Sequence, residues 1–186
     1  MEQIQNNRVI TDLYRENAQF PGIALDGSDV YLCWQRFVDR HDSLMASCRR
    51  GDEVVWEREI SDGGEVLHPV ILAHGGAIWY AWSEYARENW RILARCYRDG
   101  QWGEVLTVAS GEALFFPRLF TWQGKLHVIW TEQHKGSAAA VLCPLTEAGP
   151  GAAETVSVVG EAYRAGAAEG GDGNLYVAYD GFDGKQ

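Results

Sequence analysis

Two sets of residues recur along the chain at spacings that would bring them together in a repeat protein. Successive members of the first set are 48 residues apart, and the set comprises Phe20, His68, Phe116 and Arg164. The second set has the same spacing and comprises Arg36, Glu84 and Glu132, with Gly181 in the fourth place after a step of 49. Aromatic rings stack on the apolar face of a sugar, and charged groups bond to its hydroxyls. The seven aromatic and charged side chains are therefore our candidate ligand-binding residues.

Glu84 and Glu132 are also what a glycoside hydrolase would need, because that chemistry uses two carboxyl groups flanking the scissile bond. The sequence does not fix the distance between these two carboxyl groups. The histidines show no metal-ligand spacing, and the sequence has no Gly-x-Ser-x-Gly nucleophile motif. We therefore predict no metal and no cofactor, and we favour binding over catalysis.

A repeated β-hairpin must position these residues. In residues 69–84, two apolar runs flank Gly75 and Gly76, a pattern typical of a tight hairpin. The same pattern recurs in residues 21–36, 117–132 and 165–181. Trp34, Trp82 and Trp130 are 48 residues apart, with Tyr179 in the fourth place, and we interpret these aromatics as packing residues. A fixed period of about 20–50 residues indicates a repeat architecture.

Each repeat also contains a third and a fourth apolar run. The predicted third strands are residues 44–48, 91–97 and 138–143, and the predicted fourth strands are residues 54–60, 101–108 and 155–159 after a linker at 144–153. Four short antiparallel strands in about 40–50 residues are typical of a β-propeller blade. The predicted fold is therefore an all-β propeller with a 48-residue repeat and about four blades, the last of them incomplete.

The predicted boundaries place the chain in a single domain, residues 1–186. They are a leading strand at 4–11, blades at 21–61, 69–109 and 117–159, and a partial blade at 163–181. In a propeller, the start of the first strand and the end of the second strand lie at the same end of every blade. Both candidate sets are therefore expected at the rim of the central channel, where repeat proteins build binding surfaces.

An open propeller exposes unpaired strand edges, which folded proteins normally cover. The sequence leaves three arrangements open: a piece of a longer chain, two copies that assemble into one ring, or a four-bladed ring. We expect that a chain that folds alone forms a homo-oligomer that completes the ring.

The net charge limits the classes of partner, and the cysteine positions bear on disulfides and location. The formal net charge of -10 disfavours nucleic acid and an anionic membrane surface, because both require clustered Lys and Arg. Residues 1–7 have neither a basic n-region nor an apolar h-region, so we expect that this stretch is not a secretory signal. Cys48, Cys96 and Cys143 fall at nearly the same place in successive repeats, so we predict buried free thiols rather than disulfides. Free thiols indicate a reducing, cytoplasmic location, unless the chain is a fragment of a longer protein.

The second repeat has a recognisable pattern in the Pro, Leu-Ala, Gly, Ile-Trp and Ala-Trp positions of residues 69–82 and in residues 92–104. In this pattern it resembles the repeats of sialidase-like bacterial β-propellers. Residues 98–102, Arg-Asp-Gly-Gln-Trp, resemble a degenerate and shortened Asp-box turn of that family. The arginine triad and the Tyr–Glu pair that activity requires in that family have no matching positions here.

The resemblance therefore implies a fold and not a catalytic site. The six-bladed fucose lectins are similar in blade size and tryptophan content, and they represent a binding module. We predict a non-catalytic binding or scaffold module with a glycan or protein ligand at the channel rim. The alternatives are a part of a sialidase-like glycoside hydrolase and a purely structural assembly module.

Overall fold

The structure, a computed structural model, describes residues 17–61, 63–158 and 161–182. All regular structure in these three segments is β-strand, as the sequence predicts. Within them, no helix is long and apolar enough to cross a membrane. The leading strand predicted at residues 4–11 lies outside the described residues.

The first sheet holds four antiparallel strands in chain order. These strands are β1 (Ala18–Asp26), β2 (Asp29–Val38), β3 (His41–Arg50) and β4 (Glu53–Glu59). The turns after β1 and β3 contain Gly27 and Gly51, which have φ angles of 58° and 60°. Glycine takes this left-handed conformation without steric cost, so both turns can be tight.

The second sheet repeats this order but splits its last strand. It contains β5 (Glu65–His74), β6 (Ala77–Ala86), β7 (Asn89–Arg98), β8 (Gln101–Trp102) and β9 (Leu106–Gly111), and both β8 and β9 pair with β7. The prediction of one continuous strand over residues 101–108 was wrong. Gly103 donates its N–H to the Cys96 carbonyl at 2.9 Å, and a Cβ at this glycine would lie only 3.0 Å from the Cys96 sulfur. Only a residue without a Cβ makes this approach easily, and the resulting turn at Gly103 interrupts the pairing with β7.

The third sheet continues into the last hairpin. It contains β10 (Ala113–Trp122), β11 (Lys125–His134), β12 (Ser137–Thr146), β13 (Gly149–Pro150), β14 (Glu154–Thr155), β15 (Glu161–Glu169) and β16 (Leu175–Phe182). A single parallel bridge, between Ala138 and Glu161, joins β12 to β15.

Two predictions for this sheet were wrong. Strand β12 extends through Thr146 into the predicted linker. Of the fourth strand predicted at residues 155–159, only Thr155 lies in a described strand, β14, which pairs with β12 and begins at Glu154. Residues 149–153 are glycine, alanine and proline, which have low β-propensity, so the fourth strand is short.

The recurring apolar residues pack between neighbouring sheets. Tyr31 and Cys33 of the first sheet share one cluster with Tyr80 and Trp82 of the second. The same arrangement joins the second sheet to the third and the third to the last hairpin. Trp34, Trp82 and Trp130 are at most 2% exposed, which confirms their interpretation as packing residues. The core is thus divided into layers between adjacent sheets, as a blade arrangement requires.

Candidate functional site

A β-bulge interrupts the first strand of every hairpin. The pairing register shifts at Phe20, His68, Phe116 and Arg164, whose φ angles are 51°, 53°, 56° and 49°. In each case two residues lie opposite one recurring aromatic, namely Trp34, Trp82, Trp130 or Tyr179. We expected these four residues just before the strand, and that placement was wrong. Proline follows the first three of them, and because it has no N–H to contribute to the ladder, it is accommodated at a bulge.

The bulges bring the four side chains of the first candidate set together. They line a cavity of about 350 Å³, here called the bulge cavity, whose walls are Phe20, Pro21, His68, Pro69, Phe116, Arg118 and Arg164. The His68 ring lies between two phenylalanines, with its centroid 4.9 Å from that of Phe20 and 4.2 Å from that of Phe116. Four repeats thus contribute to one concave surface, because bulges re-aim side chains out of the regular ladder.

The bulge cavity combines an aromatic wall with a cationic edge. Burial, together with the nearby Arg118 guanidinium, lowers the pKa of His68 below its ordinary value. The His68 Nδ1 atom is buried and has no hydrogen-bond partner among the described residues. Arg164 forms an ion pair with Asp180, but two thirds of its side chain remain exposed. A buried ring nitrogen without a partner, next to exposed cations, suits a ligand that carries hydroxyl or anionic oxygens.

The second candidate set does not line the bulge cavity. Arg36 pairs with Ala18 in the sheet, Glu84 with Val66, and Glu132 with Leu114. Each of the three lies two residues after the recurring tryptophan. Side chains two apart on a strand share a face. Glu84 and Glu132 therefore follow Trp82 and Trp130 onto faces between sheets, and Arg36 follows Trp34 onto the outer face of the first sheet. The expectation that both sets surround one opening is therefore corrected for Arg36, Glu84 and Glu132.

Arg36 and Glu132 each lie within their own sheet, and the Arg36 Nε atom is buried without a partner among the described residues. The Arg36 Nη2 group donates to the Glu59 carboxylate at 3.3 Å, which ties β2 to the end of β4. Glu132 is half-buried on β11 and pairs across the sheet with Ala139 on β12.

Glu84 is a buried carboxylate with two partners. Its side chain is 1% exposed, Trp82 donates its indole N–H to it at 3.3 Å, and Arg91 forms a charged hydrogen bond to the other oxygen. A Cβ on Gly64 would lie 2.5 Å from Glu84 Cγ, so only glycine leaves room for this side chain. Glu84 is therefore part of the frame between the first two sheets.

A second cavity, which the sequence did not predict, lies beside Glu84. It measures about 570 Å³ and is lined by Arg40, His41, Asp42, Gly63, Gly64, Glu65, Glu84, Tyr85, Ala86, Arg87 and Arg91. Three arginines face three carboxylates there, so the described lining is close to neutral. The pair Gly63 and Gly64 before β5 is the sequence signal that could have indicated it.

The described residues contain no group of three His, Cys, Asp or Glu side chains that could hold a metal ion. The bulge cavity has no carboxylate among its described lining residues.

No protein-family model and no curated protein matches the chain. Solved structures do resemble it. A family 32 β-fructofuranosidase from Bombyx mori in complex with sucrose superposes with a TM-score of 0.54 and 15% identity, over 84% of this chain and 41% of that one. GH43B of the Bacteroides ovatus xyloglucan PUL gives 0.57 and 14%, over 88% and 36%. A neuraminidase-like protein of A/little yellow-shouldered bat/Guatemala gives 0.59 and 8%, over 87% and 59%.

These similarities establish the fold. The chain has an all-β propeller fold, as the 48-residue repeat predicted. It spans less than two thirds of the length of each of these three proteins. At these identities the comparison carries no residue of a catalytic site over to this chain.

Proposed function

We propose that the chain is a non-catalytic β-propeller module that binds a glycan in the bulge cavity. One observation carries this proposal: four equivalent residues from four repeats, Phe20, His68, Phe116 and Arg164, line a single cavity. The solved structures that resemble the chain include glycoside hydrolases, which is consistent with a glycan-related role.

The size and the walls of the cavity suit a sugar. Ligand pockets typically measure about 300–1,000 Å³, and about 350 Å³ lies at the lower end of that range. The phenylalanine rings offer apolar faces on which a pyranose can stack. The unpaired His68 nitrogen and the exposed part of Arg164 then bond to its oxygens.

The described lining of the bulge cavity, which has no carboxylate, supports binding there rather than hydrolysis. Glycoside hydrolysis by the common mechanism needs two carboxyl groups about 5–10 Å apart across the bond. Glu84, the most buried acid, is held by Trp82 and Arg91 rather than directed into the bulge cavity. A hydrolase would have to place two carboxyl groups in this cavity from outside the described lining.

A glycan array with matched variants tests the proposal. Loss of one stacking ring worth about 1.5 kcal/mol weakens binding about tenfold, so Phe116→Ala should lose most of the array signal. Phe37→Ala is the control, because Phe37 is an exposed phenylalanine that lies outside the bulge cavity.

Equal binding by Phe116→Ala and wild type, with unchanged thermal unfolding, would show that the bulge cavity is not the site. Release of reducing sugar from a bound glycan would contradict the non-catalytic assignment. An empty array together with specific capture of a peptide would contradict the glycan.

A further inference from the structure

The outer face of the last hairpin copies a face that is covered elsewhere in the molecule. On the first hairpin, the face that packs on the second sheet carries Gly22, Ala24 and Tyr31. The equivalent positions of β15 and β16 carry the same residue types, Gly166, Ala168 and Tyr176. In both hairpins the alanine pairs with the tyrosine across the ladder. The two faces are therefore built to meet the same kind of surface.

The first of these faces is closely packed. A Cβ on Gly22 would lie 3.0 Å from the Ile71 Cγ2 atom, so Ile71 of the second sheet occupies the space that glycine leaves open. Tyr31 is 8% exposed beneath the second sheet. On the last hairpin, no atom of the described residues other than its chain neighbours lies within 4 Å of the corresponding Cβ position on Gly166, and Tyr176 is 59% exposed.

The first strand of the first sheet carries side chains of the kind that would cover this face. Ile23 and Leu25 on β1 are 58% and 63% exposed. The residues 48 positions later, Ile71 and Ala73, are half-buried because they pack against the first sheet. Ile23 is thus the equivalent of the residue that fills the space at Gly22. On the same face Leu32, Trp34 and Met45 are buried, whereas Ile23 and Leu25 are exposed, and no sheet of the described residues covers these two.

We propose that a second copy of this chain covers these faces, with Ile23 of one copy seated against Gly166 of the other. The contact reproduces the one between Ile71 and Gly22, and it buries Tyr176 as Tyr31 is buried. Each copy offers one face of each kind, so two copies form the contact twice and close the arrangement. Two copies bring together eight hairpins, within the 4–8 blades of known propellers.

The mass in solution tests this proposal on the full chain. Light scattering or native mass spectrometry should give twice the chain mass of 20.7 kDa for the wild type. Ile23→Asp and Gly166→Glu should each give the mass of one chain, because either change places a charge in the contact. Val158→Asp is the matched control. Val158 is 88% exposed and lies in the connection between β14 and β15, away from the proposed contact. This variant should therefore keep the wild-type mass.

A wild-type mass of one chain, or of more than two, would overturn the proposal. So would a two-chain mass that survives both Ile23→Asp and Gly166→Glu, because the contact would then lie elsewhere.

A cross-linking experiment distinguishes contact between chains from closure within one chain. Ile23→Cys and Gly166→Cys are prepared as separate proteins, mixed and mildly oxidised. The native cysteines are all buried, so they should not interfere. We expect a two-chain disulfide product in the mixture and none in either variant alone, because the two Cβ atoms lie within disulfide reach only across the contact. No product in the mixture, or a bond within one chain when both substitutions are combined, would contradict the proposal.

Discussion

Arg91→Met should destabilise the protein, because it leaves the Glu84 carboxylate buried without its cation. Removing one partner of a buried ion pair costs about 3–5 kcal/mol. The Arg91 side chain is 34% exposed, so water reaches this pair and reduces the cost. We therefore expect a loss of about 2–3 kcal/mol in the free energy of unfolding. For a chain of this size that corresponds to a fall in Tm of about 4–12 °C.

The assay is thermal and urea unfolding of four proteins: wild type, Arg91→Met, Glu84→Gln and the double variant. Glutamine keeps the shape of glutamate and still accepts the Trp82 N–H, but it carries no charge. The double variant should therefore recover at least half of the loss caused by Arg91→Met. Arg87→Met is the control, since this exposed arginine lines the same cavity and its loss should change stability by no more than about 0.5 kcal/mol.

One result would refute this reasoning. If Arg91→Met and Arg87→Met cost the same, Arg91 does not hold Glu84, and Glu84 would return to the list of ligand-binding groups.

Three further predictions concern Gly64, His68 and two of the buried cysteines. Gly64→Ala should lower the free energy of unfolding by about 1–3 kcal/mol, because its Cβ would collide with Glu84; unchanged urea unfolding would contradict this. Because the pKa of His68 is lowered from 6.5, the stability due to its neutral ring is complete above pH 6.5 and is lost as the pH falls through the folded-state pKa. Replacing His68 with Phe should therefore reduce the fall in Tm between pH 7 and pH 5, and an unchanged fall would exclude this histidine as the cause. Burial raises the pKa of Cys33 to about 12 and that of Cys143 to about 11, so both thiols should react with a thiol reagent only on unfolding, and rapid labelling of native protein would contradict that burial.

The repeat could be predicted because packing between sheets requires the same residue types at each turn of the period. Trp34, Trp82 and Trp130 are all buried, and the four hairpins are present as expected. Burial of Cys48, Cys96 and Cys143 in the third strands is confirmed for the same reason.

The strand starts could not be predicted because a proline usually marks the first residue of a strand, an edge strand or a bulge, and the sequence does not distinguish these. Strands β1, β5 and β10 pass through their prolines, and the bulge accommodates the missing N–H at Pro21, Pro69 and Pro117. The period alone identified the residues at the bulges, but the bulges themselves carry no sequence signal beyond that proline.

The role of Glu84 was missed because the sequence gives spacing without register. Glu84 and Arg91 are symmetric about the turn at Arg87 and Glu88, so they face each other once β6 and β7 pair. A two-residue turn assigned there would have predicted the pair. Glu132 has alanine at the corresponding place and shows that such a partner is not part of the repeat.

The bulges also determine how the specificity of the cavity can be redesigned. At each of the four positions the backbone is left-handed, while the ladder continues on both sides. Exchanging the side chain there leaves the strand pairing intact, but the positive φ disfavours valine, isoleucine and threonine. A combinatorial library restricted to aromatic, amide, acidic and basic residues at these four positions would therefore sample new receptors on a constant scaffold. Phenylalanine, histidine and arginine already share this backbone geometry in the natural sequence.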